Sequence, residues 1–177
     1  MVNYILKYGT VAGLIVGLSL FGMTVANIGS SLGMVAGYTI MLVALSVVFV
    51  GVKRYRDIDR GGIIGFWPAL GLGLAISAVA SIFYVIAWEA ALAVTQADFI
   101  GNYTRALIEE KRAAGASPEA LAALSAEMEQ FRASYANPLI RLPMTFTEIF
   151  PVGALVSLVT AAVLRNRSFL PARQFAA

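Results

Sequence analysis

Charged residues are missing from long stretches of this chain and gathered in the segments between them. Residues 8–28, YGTVAGLIVGLSLFGMTVANI, contain none, and after the polar break Gly29-Ser30-Ser31 a second uncharged stretch covers 32–52. A third opens at Ile63, passes Trp67-Pro68 and continues to about Val94 with Glu89 as its one charge; a fourth, 144–164, carries only Glu148. Each is long enough to cross a hydrocarbon layer of about 30 Å as a helix. The pattern predicts transmembrane helices over about 8–28, 32–52, 69–91 and 144–164. Residues 63–67 are expected at the interface, with Pro68 in the first turn of the third helix, where its missing N–H costs nothing.

Between the third and fourth spans the periodicity changes. Residues 96–114 place Phe99, Tyr103 and Leu107 at i, i+4 spacing, with Ile100 and Ile108 beside them. Gly115 suits the left-handed position that ends a helix, and Ser117-Pro118 restarts one as N-cap and first-turn proline. Leu121, Leu124, Met128, Phe131 and Tyr135 then form one apolar stripe, which Asn137-Pro138 terminates. Two stripes covering each other predict a helical hairpin over about 96–137. The whole chain, 1–177, reads as a single all-α membrane domain of four transmembrane helices with that hairpin inserted between helices three and four.

Composition agrees with the pattern. The 177 residues are 59% hydrophobic and only 13% charged, where a soluble domain carries about 25% charged residues; the mean hydropathy is +0.80. The chain has no cysteine and no histidine. That excludes disulfides, thiol catalysis, zinc sites built on thiolate or imidazole, and bis-histidine haem ligation. Lys7 followed by apolar sequence mimics a signal peptide, but no small-residue cleavage site follows in a polar context, so the first span is expected to be retained.

An even number of spans puts both termini and the 53–60 segment on one side. That side holds Lys7, Lys53, Arg54, Arg56, Arg60, Arg165, Arg167 and Arg173 against Asp57 and Asp59, a net of +6. The 95–142 segment sets five basic residues against six acidic ones, a net of −1. Basic residues mark the cytoplasmic side, so both termini are expected in the cytoplasm and the hairpin in the periplasm of a bacterial inner membrane. The 53–60 segment, KRYRDIDR, reads as an inner loop. Its Lys53, Arg54, Tyr55, Arg56, Asp57 and Arg60 are candidates for contact with anionic lipid or a partner. Adjacent Arg56 and Asp57 point apart on a helix, so pairing of Arg56 with Asp59 or of Arg60 with Asp57 is geometrically easier. With no stacking platform beside these cations, nucleic acid is not expected as a partner.

Small residues recur every four positions: Gly9, Gly13 and Gly17; Gly33 and Gly37; Gly73, Ser77 and Ser81; Gly153, Ser157 and Ala161. Within lipid such stripes let helices approach closely, so one bundle is predicted. Glu89 and Glu148, at the outer ends of spans three and four, are candidate intramembrane polar residues because ionisable groups within a span are costly. Near the interface they can instead serve structure, reaching water or Arg141. Paired carboxylates also do acid/base chemistry, but no pocket, histidine or metal set accompanies these two. No catalytic residue, metal ligand or cofactor site is assigned.

Gly37-Tyr38-x-x-Met41, Leu45-Ser46, Phe49-Val50-Gly51-Val52-Lys53-x-Tyr55-Arg56-Asp57 and Gly61-Gly62 resemble a bacterial family of small membrane proteins of unknown function, the domain-of-unknown-function family numbered 4199. Phe150-Pro151-Val152-Gly153, Ser157-Leu158 and Ala161 look like that family's last span, and the alanine- and glutamate-rich segment bending at Gly115-Ala116-Ser117 is similar as well. The family pattern has a phenylalanine and a basic residue after the double glycine; here Phe66-Trp67-Pro68 stands in that region. The resemblance implies a four-span integral membrane protein and supplies no catalytic residue. The expectation is a non-enzymatic structural or accessory component of the inner membrane, acting with the bilayer and with a second copy or a membrane partner protein. The alternative is a small oligomeric transporter or channel.

Overall fold

The computed structural model describes residues 1–26, 30–95 and 98–171. They form six helices: α1 (Val2–Val25), α2 (Ser30–Asp59), α3 (Phe66–Thr95), α4 (Phe99–Ala113), α5 (Pro118–Tyr135) and α6 (Pro138–Leu164). α1, α2, α3 and α6 are long and apolar enough to cross a membrane, and α4 and α5 lie between the third and fourth of them. The protein is an all-α, multi-pass membrane protein. Its chain divides into two compact units, one made of Met1–Ala91 with the chain from Thr145 onward, the other of Leu92–Met144.

In the first unit the small-residue stripes decide which helices touch. Gly9, Gly13 and Gly17 of α1 face Val79, Phe83 and Ala87 of α3 in ascending order, so the two helices run parallel. Gly73 and Gly153 face Ser157 and Ser77, a descending match that makes α3 and α6 antiparallel. α2 enters through Gly51, against Tyr8 of α1 and Ile76 of α3. These directions gather the start of α1, the end of α2, the start of α3 and the end of α6 at one end of the bundle. Leu45, Val48, Leu72, Ile76 and Ile149 fill the interior.

The predicted α2 stripe is only partly explained. Gly37 has open space where a Cβ would stand, and Gly33 falls outside the described side chains. Among the described glycines of α2, the close approach is made at Gly51, where Tyr8 crosses.

Helix ends differ most from the sequence expectation at the start of α1, the end of α2 and the start of α6. α1 begins at Val2 rather than near residue 8, its first turn being amphipathic rather than apolar; residues 27–29, the expected end, lie outside the described chain. α2 does not stop at residue 52 but continues to Asp59, so 53–59 is helix and not loop. Nothing in KRYRDID breaks a helix, Lys53 bonds Asp57 one turn on, and the stop comes at Gly61 and Gly62, both at positive φ (56° and 83°). The Gly62 N–H returns to the Arg56 carbonyl, an αL termination that favours glycine. α6 starts at Pro138 instead of 144, since Asn137 accepts the Leu139 N–H at 3.0 Å and Pro138 fits a first turn. Pro143 and Pro151 therefore lie inside α6, each removing one i→i−4 bond.

The second unit is built on the α4–α5 hairpin. Asp98 caps α4 by accepting the Gly101 N–H at 3.0 Å and binds Arg132 of α5 at 2.9 Å, tying the two helices at their ends. Gly115 at φ 83° makes the turn, and Ser117 caps α5 by accepting from the Ala120 N–H. Hydrogen bonds from its own backbone N–H and the Ser117 hydroxyl hold the Glu119 carboxyl below its usual range. The α5 stripe faces inward as expected, with Met128 buried and Phe131 against Tyr135 at 5.7 Å. On α4 the inward positions are Ile100, Thr104, Leu107 and Ile108, while Phe99 and Tyr103 are exposed. The covered stripe thus keeps Leu107 of the expected row but takes Ile100 and Thr104 in place of Phe99 and Tyr103.

Candidate functional site

The six residues singled out at 53–60 occupy the last two turns of α2 and the residue after it, and helical geometry deals them to different faces. Val52, Tyr55 and Arg56 turn inward, Lys53 and Asp57 sit at its margin, and Arg54 and Arg60 are exposed. Arg56 is fully buried. A bare guanidinium in that position would be prohibitively costly, and the fold answers each face of the fork. Its Nε donates to Asp57 Oδ1 at 2.7 Å, Nη1 to the Phe169 carbonyl at 3.0 Å and Nη2 to the Leu170 carbonyl at 2.5 Å.

The adjacent pair does meet, contrary to expectation. Arg56 reaches over the end of its own helix to the chain that follows α6, and Asp57 turns back to receive both it and Lys53. Residues 165–171 are shaped to supply the carbonyls. Asn166 Oδ1 accepts from the Ser168 N–H and hydroxyl at 3.1 and 2.8 Å, and its carbonyl accepts from the Phe169 N–H at 3.2 Å. Leu170 then adopts φ 46°, a left-handed conformation that a branched side chain rarely takes and that the two-pronged hold of Arg56 stabilises.

Aromatic rings complete this end of the bundle. Tyr55 meets Tyr4 edge-on at 5.3 Å, and Arg60 lies over the Tyr55 ring at 5.6 Å. Tyr4 stacks on Tyr8 at 6.1 Å, with Lys7 over the Tyr8 ring. The structure thus joins Lys53, Arg56 and Asp57 in one bonded set around the buried Arg56 and Tyr55 with Arg60 in another. Arg54 belongs to neither and faces α1. Sequence reasoning missed Tyr4 and the Phe169–Leu170 carbonyls. The second omission was unavoidable from pattern alone, since a backbone carbonyl carries no residue signature.

Glu148 is exposed on α6, and the Tyr84 hydroxyl donates to its Oε2 at 3.1 Å. Glu89 is half-buried on α3, five residues beyond Tyr84 and so about 140° around the helix from it. The bond that orients Glu148 therefore comes from a tyrosine that the sequence reading passed over as an ordinary span residue. Arg141, the other partner considered, donates to the Tyr135 carbonyl at 3.3 Å and lies 5.8 Å from that ring.

Deeper in the first unit, the buried polar groups satisfy one another. Ser157 donates to the Gly153 carbonyl at 2.7 Å, Ser77 lies 3.2 Å from both that oxygen and the Ser157 hydroxyl, and Ser81 donates to the Ser77 carbonyl at 2.8 Å. No described buried side-chain polar atom lacks a partner. Among the described residues, no cluster of acidic side chains suited to a metal ion occurs.

A family model described as "Protein of unknown function (DUF4199)" matches residues 7–166, from within α1 to just past α6. No curated protein and no solved structure matches the chain.

Proposed function

The chain belongs to this family of proteins of unknown function, DUF4199, and from that premise we propose that it is a structural or accessory component of a bacterial inner membrane that works by holding a partner. One observation carries the reading: at the contacts of all four spans, glycines let the neighbouring helix approach closely, and the serine hydroxyls are used in bonds between and within α3 and α6. Such an interior favours a rigid scaffold over a water-filled path through one copy. Purification from gently solubilised membranes after crosslinking in cells is expected to bring down a second protein species in fixed ratio. Recovery of a bare monomer at native expression would overturn the reading.

A second reading rests on Glu148. A carboxylate on the outer surface of a span is costly in hydrocarbon, and a neighbouring copy would cover it. A pathway between copies would then use Glu148 and Glu89. In proteoliposomes, ion flux abolished by combining Glu89→Gln with Glu148→Gln would favour this alternative; unchanged flux would remove both residues from it.

The proposed orientation puts both termini in the cytoplasm and the hairpin in the periplasm. It is supported by the charge balance and by the gathering of Lys7, Arg54, Arg60 and Arg165 at one end of the bundle. The native chain has no cysteine, so single thiols report cleanly. Ala114→Cys is expected to react with a membrane-impermeant maleimide in spheroplasts, and Arg167→Cys only after the inner membrane is opened. The opposite pattern would invert the topology.

A further inference from the structure

At the end of the bundle where α1 begins and α2 finishes, a cleft of about 160 Å³ opens between the two helices, lined by Asn3, Tyr4, Lys7, Tyr8, Arg54 and Ile58. That is the space of about five water molecules, enough for a phosphate ester with some of its hydration. The basic residues near it are not equivalent. Lys53 and Arg56 give their charge to Asp57, while Arg60 and Lys7 each cover a tyrosine ring, of Tyr55 and of Tyr8. Lys7 and Arg54 line the cleft from opposite helices, and neither forms an ion pair among the described residues. Asp59, at the end of α2, stands within electrostatic reach of the Tyr4 hydroxyl.

Two further features match one class of ligand. The first turn of α1 carries no side-chain cap and the Met1 carbonyl takes the Tyr4 N–H, so what it adds beside Asn3 is the positive end of the helix dipole. Tyr4, Tyr8 and Tyr55 form a ring cluster of the kind that settles at headgroup depth, and exposed Ile58 offers an apolar wall. A soluble anion would use the cations alone. A phospholipid would use all of these, its phosphodiester between Lys7 and Arg54 and its glycerol against the rings and Ile58.

We propose that the Lys7–Arg54 cleft is a binding site for the headgroup of one anionic phospholipid. The inference depends on membrane insertion only, and stands or falls separately from the accessory role. A basic side chain near an anionic lipid surface strengthens binding about fivefold, and two about thirtyfold.

Native mass spectrometry of delipidated protein, titrated with phosphatidylglycerol or phosphatidylcholine, tests it. The wild type is expected to retain one phosphatidylglycerol in preference to phosphatidylcholine. Lys7→Gln/Arg54→Gln should weaken that adduct about thirtyfold, while Arg105→Gln/Lys111→Gln on exposed positions of α4 leaves it unchanged. Thermal melting in detergent gives a second readout, with phosphatidylglycerol stabilising the wild type and not the cleft variant, whose melting without lipid matches the wild type. Equal retention of the two lipids, equal loss in the α4 control, or displacement of the lipid by millimolar inorganic phosphate would each overturn the assignment, the last by making the site one for free phosphate.

Discussion

Replacing Asp57 by alanine is expected to destabilise the first unit by about 3 kcal/mol, the cost of leaving one member of a buried ion pair without the other. The direction follows from which group is stranded. Arg56 is fully buried while the Asp57 side chain is 17% exposed, so losing the acid leaves a guanidinium with two carbonyls and no counter-charge. For a chain of this length such a loss lowers the melting midpoint by roughly 6–12 °C. Lys53→Ala should cost much less, because Asp57 keeps its bond to Arg56. Combining Asp57→Ala with Arg56→Met removes both charges and should recover part of the loss, a strongly non-additive pair. Arg56→Ala alone releases the Phe169 and Leu170 carbonyls, so trypsin should then cut after Arg167 faster than in the wild type. Thermal melts of the four variants with timed proteolysis check the set. An Asp57→Ala protein as stable as the wild type would mean that the pair is solvated and structurally idle.

The spans were legible because a stretch of 20 apolar residues has few alternatives in a chain this poor in charge, and the small-residue spacings at 9–17, 73–81 and 153–161 identified real contacts. Where the reading stopped at residue 52, it took polarity as the end of a helix. Polarity marks the end of the hydrocarbon, not of the backbone hydrogen bonding, which here runs on until Gly61 can turn the chain. The pairing of Arg56 with Asp57 was misjudged for a related reason. Side-chain directions on an ideal helix separate neighbours, but a residue in the last turn of α2 answers to whatever packs on that end, and here that is a segment 113 residues away. Tyr84 was invisible as the partner of Glu148 because a tyrosine in a span signals only an aromatic body until its hydroxyl finds an acceptor. The cleft at Lys7 and Arg54 needed the antiparallel crossing of α1 and α2, which charge counting alone does not give.

Gly153→Leu is expected to give the largest loss of assembly of any single change within the spans. A Cβ at Gly153 would lie 2.7 Å from the Ser77 Cβ, 2.8 Å from its hydroxyl and 3.4 Å from Leu45. Two helices converge on that point, α3 from one side and α2 from the other, and the nearest atom is a Cβ fixed to backbone rather than the tip of a flexible chain. Even Gly153→Ala must push α3 outward, which breaks the Ser77 contacts to Gly153 and Ser157 as well as the close packing. Overpacking a filled core typically costs about 1–3 kcal/mol and occasionally more. In lipid there is no burial from water to offset it, since the separated helix faces are as well solvated by acyl chains as by each other. Gly73→Leu should behave alike against Ser157, at 2.8 Å, and Gly13→Leu against Phe83, at 2.6 Å. Gly37→Ala and Gly71→Ala meet open space, so there the better helix propensity of alanine should leave stability unchanged or raise it by up to about 1 kcal/mol. Melting of the purified variants in one detergent, with disulfide trapping of a cysteine pair placed at positions 77 and 157, whose serine hydroxyls lie 3.2 Å apart, separates helix contact from general instability. Rapid trapping between 77 and 157 with a large loss for Gly153→Leu and none for Gly37→Ala would establish the α3–α6 seam as what holds the bundle shut. Indifference of Gly153 to leucine would mean that α6 packs elsewhere.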